Sequence, residues 1–545
     1  MEQSDQQPLW WQSGVIYQIY PRSFRDSDGN GTGDLAGVIE KLDYLSDALG
    51  VDALWLSPFY PSPMADFGYD VADYCAVDPL FGDLDTFDRL LAGAHERDMR
   101  VIIDFVPNHS SDQHLWFVES RSSRDNPKRD WYIWADAKPD GALPNNWLSI
   151  FGGPAWQWDE ATGQYYLHTF LTEQPDLNWH NPQVRTAMLD ALRFWLARGV
   201  DGFRIDAIHC VMKDRELRDN PPNTEGIQLI HRPQPEYDSQ LHVYDYATDE
   251  LHGVLREIRG VLDEFVATGP WVGIGEIHVF DWPKWASYYG QQLDELHLPF
   301  NFGLLGIEWD AASVRELVVE MERVIPPGGW PNYVLGNHDE PRIASRIGPE
   351  QARVAMMLLL TLRGTPTIYN GDELGMFDVP VPLDAVQDPW GQHTGTMGRD
   401  PERSPMLWNT SPSAGFTTPD ATPWLPIEDG YELLNVEAQL ADQTSMLTLT
   451  RRLLSLRRAS RALTTGGYQP VDGVPDDCFI WERISGADRY LIALNFASQP
   501  RTLAFPAHPS GTIVLSTHLD RDGEELLTTF ELRPHEGCVI HVVPL

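Results

Sequence analysis

The sequence predicts an α/β fold: a (β/α)8 TIM barrel with a small inserted domain after the third strand and a C-terminal antiparallel β-sandwich domain. Short apolar, β-branched runs occur eight times and alternate with helical patterns. The runs are almost continuously apolar, as expected of parallel strands that are buried on both faces. Several of them end in Asp, Glu, His or Asn, and such barrels carry their active sites at the carboxyl ends of the strands.

Each predicted strand is a short run that ends near a polar residue. Helical patterns such as LRFWLARG and ARVAMMLLLTLRG separate the runs. In chain order the runs are VIYQIYPRSF, VDALWLSP, VIIDFVPNH, VDGFRIDAI, VGIGEIHV, LDELHLPFNF, NYVLGNHDE and TPTIYNGDE. Eight alternations of this kind predict the barrel.

Departures from this alternation divide the chain into domains. Residues 1–108 are predicted to form the first part of the barrel, and the stretch 109–180, rich in Trp, Gly, Pro and Asn, an inserted domain. Residues 181–455 complete the barrel and include a polar, Pro-rich segment from Met212 to Tyr246, which is interpreted as a rim loop beside the site. Alternating short strands predict a separate antiparallel β domain at 456–545.

The charge balance limits the classes of partner. The 545 residues include 40 basic and 80 acidic residues, a formal net charge of −40. Such a surface repels phosphate backbones and anionic lipid, which argues against nucleic-acid or membrane binding. A neutral or cationic substrate fits better.

The start of the chain and its cysteines predict a cytoplasmic location. The segment MEQSDQQPLWW lacks the basic start and apolar stretch of a secretory signal, and no run approaches the roughly 18 apolar residues of a membrane span. The cysteines have no paired spacing, so neither a disulfide framework nor a zinc site is predicted. They are Cys75, Cys210, Cys478 and Cys538.

Four carboxylates end separate apolar runs. They are Asp104, Asp206, Glu276 and Asp339. Because strand ends of one barrel meet at one rim, these side chains are predicted to share an acidic pocket. Each alone has a structural alternative as a helix cap or salt-bridge partner, and for Asp104 the structural role is favoured.

The local contexts suggest the roles that glycoside hydrolysis requires. Arg204 lies two residues before Asp206, hence on the same strand face, and should lower its pKa, which fits an ionised nucleophile. Glu276 follows an apolar run near that negative charge, and both effects should raise its pKa, which fits a general acid. Asp339, preceded by His338, offers a third carboxylate that grips sugar hydroxyls.

The loop after the first strand predicts a metal site. The segment DSDGNGTGD, residues 26–34, places oxygen ligands at alternate positions and Gly31 at the sixth, which suits calcium or magnesium. Gly37 at the twelfth position excludes an EF-hand, so the ion is expected to be structural. A metal-free turn rich in Asp and Asn stays open as the alternative.

The loop FGYDVADY supplies two further candidates for sugar binding. Tyr69 could stack on a sugar face, and Asp70 could bind its hydroxyls. The 20 tryptophans are expected to serve core and rim packing instead.

Four motifs in the order DFVPNH, GFRIDAIH, GEIH and NHDEPR resemble the α-amylase superfamily, glycoside hydrolase family 13. The opening VIYQIYPRSFRDSDGNGTGDLAG and the segments QPDLNWHN and GRDPERSPMLW resemble its α-glucosidase and oligo-1,6-glucosidase branch. The resemblance covers almost the whole chain. It implies that Asp206 is the nucleophile, Glu276 the acid/base and Asp339 the transition-state stabiliser.

The resemblance also implies a glucose pocket and a substrate class. The pocket residues would be Tyr69, Asp70, His109, Arg204, His338 and Arg399. In the family, the pair that matches Asp70 and Arg399 closes the pocket, so one terminal glucose would leave at a time. The implied substrates are small α-glucosides: maltose, sucrose, malto-oligosaccharides or aryl glucosides.

The same resemblance assigns the metal ligands. It leaves open several functions that related proteins perform. The ligands would be Asp26, Asp28, Asn30, Thr32 through its backbone, and Asp34 around Ca²⁺ or Mg²⁺, with no organic cofactor. Ala207 after the nucleophile is typical of enzymes that prefer α-1,4 bonds. A transglycosylase or sucrose isomerase with the same three carboxylates stays open, as does a non-catalytic, glycosidase-like interaction protein.

Overall fold

The computed structural model describes residues 8–226, 234–504, 510–526 and 529–542. The strands in chain order are β1 Ile16–Ile19, β2 Ala53–Leu56, β3 Arg100–Phe105, β4 Trp134–Ala135, β5 Trp156–Asp159, β6 Gln164–Leu167, β7 Gly202–Ile205, β8 Val272–Gly275, β9 Leu298–Pro299, β10 Asn332–Val334, β11 Thr365–Tyr369, β12 Gly467–Pro470, β13 Cys478–Ser485, β14 Asp488–Asn495, β15 Arg501–Ala504, β16 Gly511–Ser516, β17 Glu525–Leu526, β18 Thr529–Leu532 and β19 Gly537–Val542.

Eight parallel strands form the predicted barrel. Their order is β10-β11-β1-β2-β3-β7-β8-β9, and a parallel bridge between Asn301 and Tyr333 joins the two ends of the sheet. Each of the eight apolar runs overlaps one of these strands. The predicted (β/α)8 fold is confirmed.

Helices surround the barrel. The α-helices are α1 Trp10–Ser13, α2 Pro21–Phe24, α3 Leu35–Glu40, α4 Leu84–His95, α5 Leu115–Ser122, α6 Pro182–Arg198, α7 Leu251–Glu264, α8 Trp282–Ser287, α9 Gly303–Gly306, α10 Ala311–Val324, α11 Ile343–Ile347, α12 Pro349–Thr361, α13 Pro389–Thr394, α14 Val436–Ala441, α15 Met446–Ala459 and α16 Arg461–Thr465. A π-helical segment spans Tyr44–Leu49.

The longest of these helices, α6, shows how the sequence sets helix ends. The Asn181 side chain accepts a hydrogen bond from the N–H of Gln183, and Pro182 occupies the first helical position. At the other end Gly199 adopts φ 106°, a left-handed conformation that glycine permits without strain. The chain then enters β7, so these caps help to place the strand that carries Arg204.

The alternation of side chains along the strands explains where polar residues arise. Ile16, Trp55, Ile102 and Ile274 are buried together inside the barrel. Side chains two positions further along a strand point to the same face. At the carboxyl ends this inward face therefore continues into the polar residues Gln18, Asp104, Arg204 and Glu276. The barrel core leads directly into a polar mouth.

A small sheet lies in the segment inserted between β3 and α6. Strands β4, β6 and β5 pair antiparallel, in that order. Their small core contains Trp147, Trp156 and Leu167. The predicted rim loop packs against this insertion, because the side chain of Asn146 donates to the carbonyl of Asn220 at 2.9 Å and accepts its N–H at 2.8 Å.

The C-terminal region is a two-layer β structure. Six strands form the sheet β12-β13-β14-β19-β16-β17, and β15 pairs with β18. Alternation along β13 divides its side chains: Phe479 and Trp481 join the main core, whereas Cys478 and Ile480 pack with residues of β15 and β18. The predicted boundary at 455/456 falls inside α15.

No helix in the described part of the chain is long and apolar enough to cross a membrane. The four cysteines are free thiols, and three of them are buried.

Candidate active site

The three predicted catalytic carboxylates line one pocket at the barrel mouth. Asp206 directly follows β7, and its N–H donates to the Phe105 carbonyl at 2.8 Å. Glu276 directly follows β8, and its N–H donates to the Ile205 carbonyl at 2.9 Å. These bonds extend the barrel ladder, so rigid strands hold both carboxylates. Asp339 lies in the loop after β10.

Arg204 is the centre of the site. Its guanidinium is 2.7 Å from Asp104, 2.5 Å from Asp206 and 2.9 Å from Glu276. The side chain is 2% exposed, and it lies over the Trp55 ring at 5.2 Å. One buried cation therefore holds three carboxylates, and Asp104 has the structural role that the sequence favoured.

The pKa values of Asp206 and Glu276 are shifted in directions opposite to those predicted from the sequence. Burial raises the pKa of Asp206 well above its usual value, with Arg204 opposing. Burial also acts to raise the pKa of Glu276, but Arg204 and His278 outweigh it, so the net shift is downward. The prediction is wrong because Arg204 also binds Glu276 and Asp104.

Three donors surround Asp339. Its Oδ1 is 3.1 Å from Arg399 and 2.8 Å from Arg403, and its Oδ2 is 3.2 Å from His338 Nε2. Burial acts to raise the pKa of Asp339, but these neighbours lower it below its usual range. Asp339 therefore stays ionised, as a group that stabilises positive charge must.

His338 is held between two tyrosine rings. Its ring centroid lies 5.4 Å from both Tyr20 and Tyr69, and the ring planes are inclined by 16° and 2° respectively. The Gln18 amide donates to Nδ1 at 2.7 Å, so the proton lies on Nε2, 2.7 Å from the Tyr69 hydroxyl. Burial lowers the pKa of His338 to about 3. The imidazole is therefore a neutral donor.

A buried ion-pair cluster forms part of the pocket wall. Arg399 lies 2.7 Å from Asp66 and 2.7 Å from Asp388. Its guanidinium also lies 5.2 Å from the centre of the Phe151 ring. Arg399 and Asp66 both line the pocket, whereas Asp388 is fully buried behind them.

The predicted pairing of Asp70 with Arg399 is wrong. Asp70 accepts hydrogen bonds from the Ser62 hydroxyl at 2.8 Å and from the N–H groups of Ala65 and Asp66 at 2.9 Å. Both of its oxygens thus shape the loop. Asp66, four residues earlier, takes the position beside Arg399 that the sequence assigned to Asp70.

His109 lines the pocket, as predicted. Its Nε2 is 3.1 Å from the side-chain nitrogen of Gln174, which also donates to Asp66 at 3.1 Å. Burial lowers the pKa of His109 to about 4. Gln174 opens the segment QPDLNWHN, so this segment supports the pocket wall.

The walls combine aromatic and polar side chains. Apolar contacts come from the inserted segment and from α13. The lining residues beyond the predicted ones are Asp66, Ile150, Phe151, Phe170, Ala207, His209, Gln234, His278, Glu340 and Trp390. Gln234 belongs to the predicted rim loop, whose residues 227–233 lie outside the described part of the chain.

Two polar groups contact the carboxylate oxygens of Glu276. The N–H of Ala207 donates to Oε2 at 2.7 Å, and Ala207 has the left-handed φ of 39°. His278 Nε2 lies 3.0 Å from Oε1. Sequence reasoning assigns no role to His278, although it stands only two residues after Glu276.

The loop at 26–34 gathers carboxylates outside the pocket. Oxygen atoms of Asp26, Asp28 and Asp34 lie within 4.8 Å of one another. Asp26 is buried and accepts the N–H groups of Gly29 and Gly31 at 2.7 Å. Three close carboxylates repel one another, and hard oxygen ligands suit Ca²⁺ or Mg²⁺. The residues therefore fit the predicted ion.

Known proteins resemble this chain over most of its length. The alpha-amylase catalytic domain family matches residues 18–466. A probable alpha-glucosidase of Rhizobium meliloti (strain 1021) is 44% identical over 512 residues, 91% of each chain. The alpha-glucosyl transfer enzyme XgtA has a TM-score of 0.91 at 42% identity and covers 99% of this chain and 100% of its own. The trehalulose synthase MutB from Pseudomonas mesoacidophila MX-45 has a TM-score of 0.89 at 35% identity, with coverage of 98% and 100%.

Proposed function

This chain belongs to the alpha-amylase family of glycoside hydrolases, and we propose that it is a retaining, exo-acting α-glucosidase. It would release α-glucose from the non-reducing end of short α-glucosides, with a preference for α-1,4 bonds. The observation that carries the proposal is the pocket that Asp206, Glu276 and Asp339 line together, with the buried Arg204 bound to the first two.

The proposed reaction proceeds in two steps. Asp206 attacks the anomeric carbon while Glu276 gives its proton to the leaving oxygen, so the glycosidic bond breaks as an ester bond to Asp206 forms. Glu276, now ionised, then takes a proton from water, and the water oxygen replaces Asp206. Asp339, ionised beside Arg399 and Arg403, stabilises the positive charge that develops on the sugar ring.

Exo-action is supported by the ion-pair cluster in the pocket wall. Asp66 and Arg399 form a 2.7 Å ion pair there, and Asp388 fixes Arg399 from behind. A chain that continued beyond the terminal glucose would have to break this buried pair. Both groups also suit the hydroxyls of a terminal glucose, because carboxylates accept and guanidinium groups donate.

One feature supports the substrate preference. Ala207, whose N–H binds Glu276, lines the pocket next to the proposed nucleophile, and its small side chain is the type the family uses for α-1,4 bonds. The similarity to a probable alpha-glucosidase supports the activity itself. Maltose, malto-oligosaccharides, sucrose and aryl glucosides are the proposed substrates.

Glucosyl transfer is the second candidate function. The similarity to an alpha-glucosyl transfer enzyme and to a trehalulose synthase favours it. The two functions share the ester intermediate and differ only in whether water or a sugar attacks it. A non-catalytic role has less support, because all three carboxylates line the pocket.

We also propose a structural Ca²⁺ or Mg²⁺ ion at the loop 26–34. The ligands would be Asp26, Asp28, Asn30, Thr32 through its backbone, and Asp34. The ion would supply charge neutralisation to this loop. Asp34 also caps α3 by accepting the N–H of Gly37 at 2.6 Å, so the ion would stabilise the start of that helix.

The experiment that tests the proposed function is product analysis with maltose, isomaltose and sucrose. Each sugar is supplied at low and at high concentration, and the Asp206→Ala protein serves as the blank. We expect glucose from maltose faster than from isomaltose. New disaccharides that dominate even at low sugar concentration would support glucosyl transfer instead, and turnover by the Asp206→Ala protein would refute the role of Asp206.

A further inference from the structure

We propose that His278 is a positioning residue for Glu276: it donates a hydrogen bond to Oε1 of the carboxylate and stabilises its ionised form. This inference deepens the proposed glycosidase function and rests on it. The two carboxylate oxygens of Glu276 have different surroundings.

Only one oxygen of Glu276 has room for a proton. Oε2 accepts the N–H of Ala207 at 2.7 Å and lies 2.9 Å from Arg204. Two donors occupy the two lone pairs of that oxygen. Oε1 faces Nε2 of His278 at 3.0 Å. The acid proton must therefore be on Oε1, at the lone pair that His278 leaves free.

The tautomer of His278 follows from its two nitrogens. Nδ1 is buried and has no hydrogen-bond partner among the described residues. A proton on Nδ1 would be an unsatisfied buried donor, which is costly. Nε2 therefore carries the proton and donates it to Oε1. The ring stacks on Phe302, with centroids 4.3 Å apart and planes inclined by 5°, so its orientation is fixed.

This hydrogen bond has opposite consequences for the two steps. Before the first step the donor opposes protonation of Oε1, because a hydrogen bond to the charged carboxylate favours the ionised form. After the proton has left with the sugar, the same donor stabilises the ionised Glu276. That ionised form is the base that takes a proton from water or from an acceptor sugar.

Other charged or titratable groups also face Glu276. They are Asp104 on β3, Arg204 on β7 and Asp206 directly after β7. His209 follows in the turn after β7, and its Nδ1 lies 3.0 Å from the Glu276 carbonyl. Burial lowers the pKa of His209 to about 3, so it stays neutral at working pH. Arg204 stays charged throughout. Among the described side chains, His278 is the one that contacts Oε1.

The test is the pH profile of kcat/KM for a glucoside that the wild type hydrolyses. The His278→Phe variant keeps an aromatic ring on Phe302 and removes the donor, and His278→Gln keeps an N–H donor without a titratable ring. We expect His278→Phe to move the basic limb upward by about one pH unit, because it loses a hydrogen bond to a charged group. His278→Gln should restore the wild-type limb.

Two further variants make the test decisive. His278→Leu is a second donor-free variant if the Phe variant folds poorly. His252→Phe is the matched control, since His252 also stacks on a ring, that of Tyr288, but pairs with Glu295. The proposal would be overturned if the basic limb of the pH profile stays in place in His278→Phe and His278→Leu. It would also be overturned if His278→Gln shifts this limb as far as those variants do. A wild type that hydrolyses no glucoside would instead refute the proposed function.

Discussion

The side-chain amide of Gln18 donates a hydrogen bond to Nδ1 of His338 at 2.7 Å, on the far side of the imidazole from the pocket. The bond directs the proton of His338 to Nε2, beside the Tyr69 hydroxyl. Tyr69 in turn lies 3.3 Å from Asp104, which binds Arg204 at 2.7 Å. One chain of oriented hydrogen bonds thus joins the two sides of the site.

Replacing Gln18 with Leu removes the donor that fixes this chain. We expect kcat/KM to fall about fivefold, since a buried hydrogen bond contributes on the order of 1 kcal/mol. Steady-state kinetics measure the loss. Ser57→Ala is the matched control, because Ser57 is the other contact of the amide at 3.2 Å and leaves His338 untouched. An unchanged kcat/KM in Gln18→Leu would refute the orienting role.

Asp66 and Asp70 give opposite expectations for the same substitution. Asp66→Asn weakens the buried pair with Arg399, and we expect kcat/KM for maltose to fall about a hundredfold, or about 3 kcal/mol. Asp70→Asn alters bonds within the loop and should change kcat/KM far less. The two variants are compared by steady-state kinetics. A larger loss of kcat/KM in Asp70→Asn than in Asp66→Asn would support the predicted pairing of Asp70 with Arg399 instead.

Removal of divalent ions should lower thermal stability. A ligand that binds only the folded state stabilises it by about 2.7 kcal/mol at a concentration of 100 times its Kd. We expect a chelator to lower Tm and Ca²⁺ or Mg²⁺ to restore it, and Asp28→Ala to abolish this response. Asp43→Ala, on a surface pair with Arg97, is the control. A Tm that is insensitive to chelator would indicate a metal-free turn.

Glu428 should make stability depend on pH. Burial raises its pKa from 4.5 to about 7. Its folded state holds more protons than its unfolded state in that window, so its stabilising contribution is full below about pH 4.5 and is lost as pH rises through 7. We expect Glu428→Gln to match the wild type near pH 4.5 and to exceed it at pH 8, by up to about 3 kcal/mol.

Thermal unfolding at several pH values measures this difference. The relevant quantity is the change in Tm between variant and wild type, not the Tm of either protein alone. A difference that stays constant from pH 4.5 to pH 8 would show that Glu428 does not titrate in this range.

The barrel and the carboxylates at its mouth could be predicted because both follow from one pattern. Strands buried on both faces are continuous apolar runs, and polar residues at their ends must lie at the rim. Asp206 and Glu276 stand directly after such runs, so their placement needs no knowledge of loops. Their alternation with Ile274 and Arg204 also fixes the direction of the side chains.

The loops and the proton distribution could not be predicted in the same way. Asp66 and Asp70 are four residues apart in one irregular loop, and spacing does not tell which carboxylate faces Arg399. The pKa directions of Asp206 and Glu276 depend on a cation that both share, which only the three-dimensional structure shows. His278 could have been found, since it lies two residues after Glu276.

The decisive measurement is the anomeric form of the first glucose released from maltose, observed by NMR before mutarotation. Attack by Asp206 followed by attack of water inverts the anomeric carbon twice, so α-glucose should form first. A first product of β-glucose would contradict the ester intermediate on Asp206. It would require a single displacement, with Asp206 acting as a base for water.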